Sequence, residues 1–99
     1  MRDGIPAIIE ADGRRCDYCV LTEEEYLVRL DEKLNEELAE YQQSKSLEEL
    51  ADLLEVMRAV VVARGWNWQA LEALREAKAR ERGGFERRIL LKSAGEKET

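Results

Sequence analysis

Carboxylates are the residues of this chain best suited to chemistry: Glu36, Glu37 and Glu40 form an E-E-x-x-E cluster, and Glu49 and Asp52 form E-x-x-D. Residues three apart on a helix share a face, so each cluster would present a pair of carboxylates in one direction. Carboxylates held close together repel and call for positive charge between them. An all-oxygen set without histidine or cysteine favours Mg²⁺ or Mn²⁺ over zinc, and magnesium shares its shell with waters and substrate phosphates. That points to phosphoryl or nucleotidyl chemistry, in which the cation polarises the phosphorus centre, offsets charge on the leaving group and activates water. Glu36 and Glu48 are candidates for orienting that water.

For the clusters to converge, each must sit on a helix and the helices must be neighbours. Thr22-Glu23-Glu24-Glu25 is a capping box that starts a helix. Leu27, Leu30, Leu34, Leu38 and Tyr41 then recur every three or four residues, until the polar break Gln42-Gln43-Ser44-Lys45. Ser46-Leu47-Glu48-Glu49 is a second box and Gly65 the next breaker, which predicts a helix over about residues 47 to 64. The short connection predicts antiparallel neighbours. At about 100 degrees per residue, Val56, Met57, Val60, Val61 and Val62 surround most of this second helix. Glu49 falls between Val56 and Val60, and Asp52 between Ala59 and Ala63, so both project toward an otherwise apolar surface. Asn67 caps a third helix from Trp68 to about Arg82, with Trp66 and Leu71 as a hydrophobic staple and Gly83-Gly84 as the stop.

Outside these helices, Pro6 precedes a helical turn or two that ends at Asp12-Gly13. Rough alternation over Arg14 to Leu21 and a branched run over Glu86 to Leu91 predict a minor two-stranded element from the terminal segments. The overall expectation is an all-α small helical bundle, one domain over residues 1–99, with 93–99 a frayed tail.

Composition limits the partners. A charged fraction of 38% beside an apolar fraction of 44% suits a folded chain with a solvated helix surface. The net charge of -6, from 22 acidic and 16 basic residues, argues against nucleic acid. No apolar run reaches the roughly 18 residues of a membrane span, and the opening lacks a signal-type core, so the expected location is cytoplasmic. Cys16 and Cys19 form one C-x-x-C with no second pair and no histidine to complete a zinc site, and read as ordinary thiols.

The acidic residues have other uses. Glu49 is three residues past Ser46, where it can close the capping box, and paired glutamates are common on solvated helices. The set as a whole nevertheless resembles the all-α nucleoside triphosphate pyrophosphohydrolase superfamily, whose pattern joins E-E-x-x-E on one helix to E-x-x-D on the next. It is similar to a short MazG-like subgroup, phosphoribosyl-ATP pyrophosphohydrolase-like, through Arg2-Asp3-x-Ile5-Pro6, Lys33-Leu34-x-Glu36-Glu37, Glu48 to Glu55 and Arg82-Gly83-Gly84-Phe85. Two departures from the family pattern are Gly4, where lysine is common, and the short Glu40 to Glu49 interval.

The resemblance implies a helical homodimer or higher homo-oligomer that uses Mg²⁺ to split a nucleoside triphosphate into monophosphate and pyrophosphate. It implies Glu37, Glu40, Glu49 and Asp52 as metal ligands. Lys33, Lys78 and Arg82 become candidate contacts for the phosphates of the nucleotide substrate, because a polyphosphate needs cationic donors beyond the metal. House-cleaning hydrolysis of unwanted nucleotides is the preferred role. The alternatives are phosphoribosyl-ATP hydrolysis in histidine biosynthesis and a non-catalytic helical interaction protein.

Overall fold

A computed structural model describes residues 2–97. It contains four helices in chain order: α1 (Ile5–Ala11), α2 (Glu23–Ser44), α3 (Leu47–Ala63) and α4 (Trp68–Arg82). The fold is all-α. Among the described residues no helix is long and apolar enough to cross a membrane.

Local chemistry sets the ends of the three long helices. Thr22 is extended (φ -67°, ψ 164°), its hydroxyl accepts from the Glu25 N–H at 3.3 Å, and the Glu25 carboxylate accepts from the Thr22 N–H at 3.3 Å. This closed box satisfies two of the backbone donors that a helix start leaves unpaired. α2 ends where Lys45 turns left-handed at φ 57°, its ammonium 5.6 Å from the centroid of the Tyr41 ring. α3 ends in a Schellman motif: Gly65 adopts φ 77°, its N–H donates to Val62 O, and the Trp66 N–H donates to Val61 O. Asn67 Oδ1 accepts from both Gln69 and Ala70 N–H groups, which starts α4 one residue after the cap.

With only Lys45 and Ser46 between them, α2 and α3 fold back on each other. Asp31, early in α2, meets Arg64 at the end of α3 at 3.1 Å, whereas Glu37, later in α2, lies beside Glu49 and Asp52 at the start of α3. That reversed order establishes an antiparallel hairpin. Leu30 and Val61 are its buried apolar side chains among the described residues. α4 packs more lightly on α3 and leaves an apolar groove of about 510 Å³, lined by Leu34, Met57, Val60, Trp66, Leu71 and Leu74. Trp66 and Leu71 therefore share a surface, as staple partners should, yet Trp66 remains 63% exposed.

The expected two-stranded element is not formed. Neither Arg14 to Leu21 nor Glu86 to Leu91 is strand, and Val20 and Leu90 are exposed. The second segment is broken by a turn in which the Arg88 N–H donates to Phe85 O and Arg88 takes φ 56°, so its backbone cannot offer a continuous ladder. Residues 93–97 have no regular structure, and the rest of the predicted tail, 98 and 99, lies outside the described residues, as does residue 1.

The Thr22 hydrogen bonds, side chain first, hold the Glu25 carboxyl below its ordinary value of 4.5. A carboxyl lowered in the folded state stabilises above its unfolded value, and that contribution is lost as pH falls through the lowered one. Thr22→Ala should cost about 1 kcal/mol near neutral pH, a typical cap loss, measured by urea unfolding. The difference in stability between the parent and Glu25→Gln should shrink as pH drops below about 4.5.

Candidate metal centre

Glu37, Glu49 and Asp52 meet across the α2–α3 seam, each offering a carboxylate oxygen within 4.8 Å of the others. Glu37 is the one buried charged residue among the described residues, its side chain only 8% exposed, while Glu49 and Asp52 are half-buried. One Glu37 oxygen, Oε1, pairs with Lys33 Nζ at 3.2 Å; the other, Oε2, is buried without a hydrogen-bond partner. Glu49 Oε2 is buried and unpartnered in the same way. Such atoms lose hydration without replacement, which destabilises the fold unless a ligand supplies the missing interaction.

The fate of Glu49 separates its two possible uses. The Ser46 hydroxyl accepts from the Glu49 N–H at 3.3 Å, so the serine half of a capping box exists. The reciprocal half does not, because the Ser46 N–H donates to Ser44 Oγ instead. The Glu49 carboxylate is left to turn into the seam. Thr22 and Glu25 show the contrast: the same spacing closes fully there, where no hydroxyl two residues upstream competes.

Two cations flank the three carboxylates. Lys33 also reaches Glu36 Oε2 at 3.3 Å, and its hydrogen bond to Glu37 is the leading cause of an ammonium pKa raised above the ordinary 10.5. Arg2 donates to Asp52 Oδ1 at 2.6 Å across fifty positions of sequence. Three negative and two positive groups leave one formal negative charge, before Glu36 is counted. Oxygens sharing one Mg²⁺ lie about 2.1 Å from it and so about 3 to 4 Å apart. The group is within side-chain torsions of that arrangement, and its donors are all hard oxygens.

The other residues singled out from sequence lie around or away from this centre. Glu40 follows Glu37 by one turn but is exposed and outside the group of three. Glu36 is mostly exposed and held by Lys33, and Glu48 is exposed in the first turn of α3. Lys78 and Arg82 are on the exposed part of α4, and among the described residues neither pairs with a carboxylate of the centre. Cys16 and Cys19 are free thiols, the first half-buried and the second exposed. Sequence reasoning missed Arg2 as a neighbour of the carboxylates; no spacing rule links residues 2 and 52. Comparison with protein families, curated proteins and solved structures finds no match for this chain.

A cation that binds the folded centre and not the unfolded chain should raise the melting temperature, by about 2.7 kcal/mol of stability at a hundredfold excess over Kd. Glu49→Gln should abolish the shift seen with Mn²⁺. In chelator the same variant should melt no lower than the parent, because a charge that repels Glu37 and Asp52 has been removed.

Proposed function

We propose that this protein is a Mg²⁺-dependent nucleotide pyrophosphohydrolase that cleaves a nucleoside triphosphate to the monophosphate and pyrophosphate. The observation that carries the reading is the pair of buried, unpartnered oxygens, Glu37 Oε2 and Glu49 Oε2, within the three-carboxylate group. The order of the acidic motifs, similar to that of MazG-like enzymes, supports the same conclusion.

Glu37, Glu49 and Asp52 would hold the cation, with Glu40 able to approach by rotation from the same face of α2. The cation supplies Lewis acidity at the α–β phosphoanhydride and charge neutralisation for the departing pyrophosphate. Glu36 or Glu48, both near the centre in sequence and both solvent-accessible, would accept a proton from the attacking water. Lys33 stays protonated beside Glu37 and offers positive charge to the phosphates. Lys78 and Arg82, exposed on α4, are further cationic candidates for the same phosphates.

A homodimer fits the same reading. The chain exposes 9364 Å², against roughly 5,800 Å² for a compact monomer of 11.4 kDa, an excess to which the largely exposed non-helical segments 14–22 and 83–97 contribute. Its radius of gyration is 19.3 Å, where about 13 Å is usual for a hundred residues. The apolar α3–α4 groove is the surface a second copy would cover. That exposed groove also favours the second reading, a non-catalytic helical interaction protein in which the carboxylates serve capping and solubility.

Light scattering should return twice 11.4 kDa, and a monodisperse monomer would defeat the dimer. Pyrophosphate release should require Mg²⁺ or Mn²⁺ across a panel that includes phosphoribosyl-ATP beside common and modified triphosphates. A folded Glu49→Gln, Asp52→Asn double variant should lose at least a hundredfold in kcat/KM. Silence of the parent on the whole panel, with no metal effect on melting, would favour the interaction protein.

A further inference from the structure

Arg2 stands out among the exposed basic residues, because its partner belongs to the carboxylate centre. Its guanidinium donates to Asp52 Oδ1 at 2.6 Å, while 59% of the side chain faces solvent. The local backbone aids the placement: the Arg2 carbonyl accepts from the Ile5 N–H in the turn that begins α1. An exposed ion pair of this kind contributes little to stability. What distinguishes it is position. Asp52 shares its group with the unpartnered oxygens of Glu37 and Glu49, and Lys33 neutralises the Glu37 end while Arg2 neutralises the Asp52 end.

We propose that Arg2 is a phosphate-binding residue of this centre, docked on Asp52 in the cation-free protein and released to the substrate's phosphates once Asp52 engages a divalent cation. The inference rests on the hydrolase reading and extends it. A dication ligated by Asp52 repels the guanidinium on the same carboxylate, which weakens the Arg2–Asp52 pair and lets Arg2 exchange onto a phosphate oxygen. Its fork of donors matches two oxygens of a phosphate, and on Asp52 it already stands beside the centre. With a dication bound, the three carboxylates, Glu36, Lys33 and Arg2 together are formally neutral instead of negative, which removes the repulsion of a phosphate. The cation and the guanidinium fork are the groups a polyphosphate anion would engage. Arg2 thus disfavours a bare cation and favours the cation with its phosphate substrate.

The test uses the full chain and two readouts that need no turnover. Mn²⁺ binding is followed by electron paramagnetic resonance, and inorganic tripolyphosphate binding to the Mn²⁺-loaded protein by calorimetry. Arg2→Ala should bind Mn²⁺ at least threefold more tightly, because a competing cation is gone. It should bind tripolyphosphate at least tenfold more weakly, and Arg2→Lys should recover only part of that loss. Unchanged Mn²⁺ or tripolyphosphate affinity in Arg2→Ala, with the parent binding both, would overturn the role of Arg2 alone. A parent that fails to bind Mn²⁺ would overturn the metal centre and this inference with it. Since Arg2 is largely exposed, an unchanged helical circular dichroism spectrum is the check that the variants fold.

Discussion

The antiparallel return of α3 along α2 is the constraint on which the rest of the molecule depends. Only Lys45 and Ser46 connect the two helices, and Lys45 makes the reversal in a left-handed conformation. That return sets Glu37 opposite Glu49 and Asp52, and Asp31 opposite Arg64. A longer connection would free the helices to slide or splay, and three carboxylates from two helices would no longer share one locus. The serines at this turn also decide a side-chain question. By giving the Ser46 N–H to Ser44 Oγ, the turn releases the Glu49 carboxylate from capping duty and makes it available to the seam.

Electrostatics then gives the seam its character. Glu37 is nearly fully buried and satisfies only one oxygen, through Lys33 on its own helix. Arg2 satisfies part of Asp52 from outside the hairpin. Full neutralisation by protein cations would make an inert salt-bridge network; here a net negative charge and two bare oxygens persist. A hard divalent ion would complement that remainder, and binding it would remove the net negative charge of the locus, Glu36 included. The proposed metal requirement and preference for a polyphosphate would both follow from that charge distribution.

Helix ends were readable from the sequence because each depends on local chemistry. Thr22 with Glu25, the Ser46 hydroxyl, Asn67, Gly65 and Gly83 act within a few residues of themselves, and α2, α3 and α4 start or stop there. The all-α class followed. The two-stranded element failed for the opposite reason: alternation at Arg14 to Leu21 and branched residues at Glu86 to Leu91 describe compatible surfaces but cannot ensure that the segments meet. At the carboxylates, i,i+3 spacing puts Glu49 and Asp52 on one face of α3 and the antiparallel return brings Glu37 to them, while Glu40 on the same motif stays outside. The helical wheel places a residue on a face and leaves its side-chain torsions open, which is where Glu37 and Glu40 diverge. Arg2 was invisible as part of the site because its contact spans fifty positions. The apolar excess of α3 was legible as a surface needing cover; α4 supplies only part of it, and the groove beside Trp66 is what remains.

The central claim is that Glu37, Glu49 and Asp52 together hold a divalent cation. The most direct measurement is anomalous diffraction at the manganese edge from crystals of the full chain grown or soaked with Mn²⁺. One or more strong anomalous peaks are expected between the three carboxylates, about 2.2 Å from their oxygens, with Arg2 withdrawn from Asp52. A well-ordered seam at high Mn²⁺ with no peak there, and with Arg2 still on Asp52, would contradict that claim.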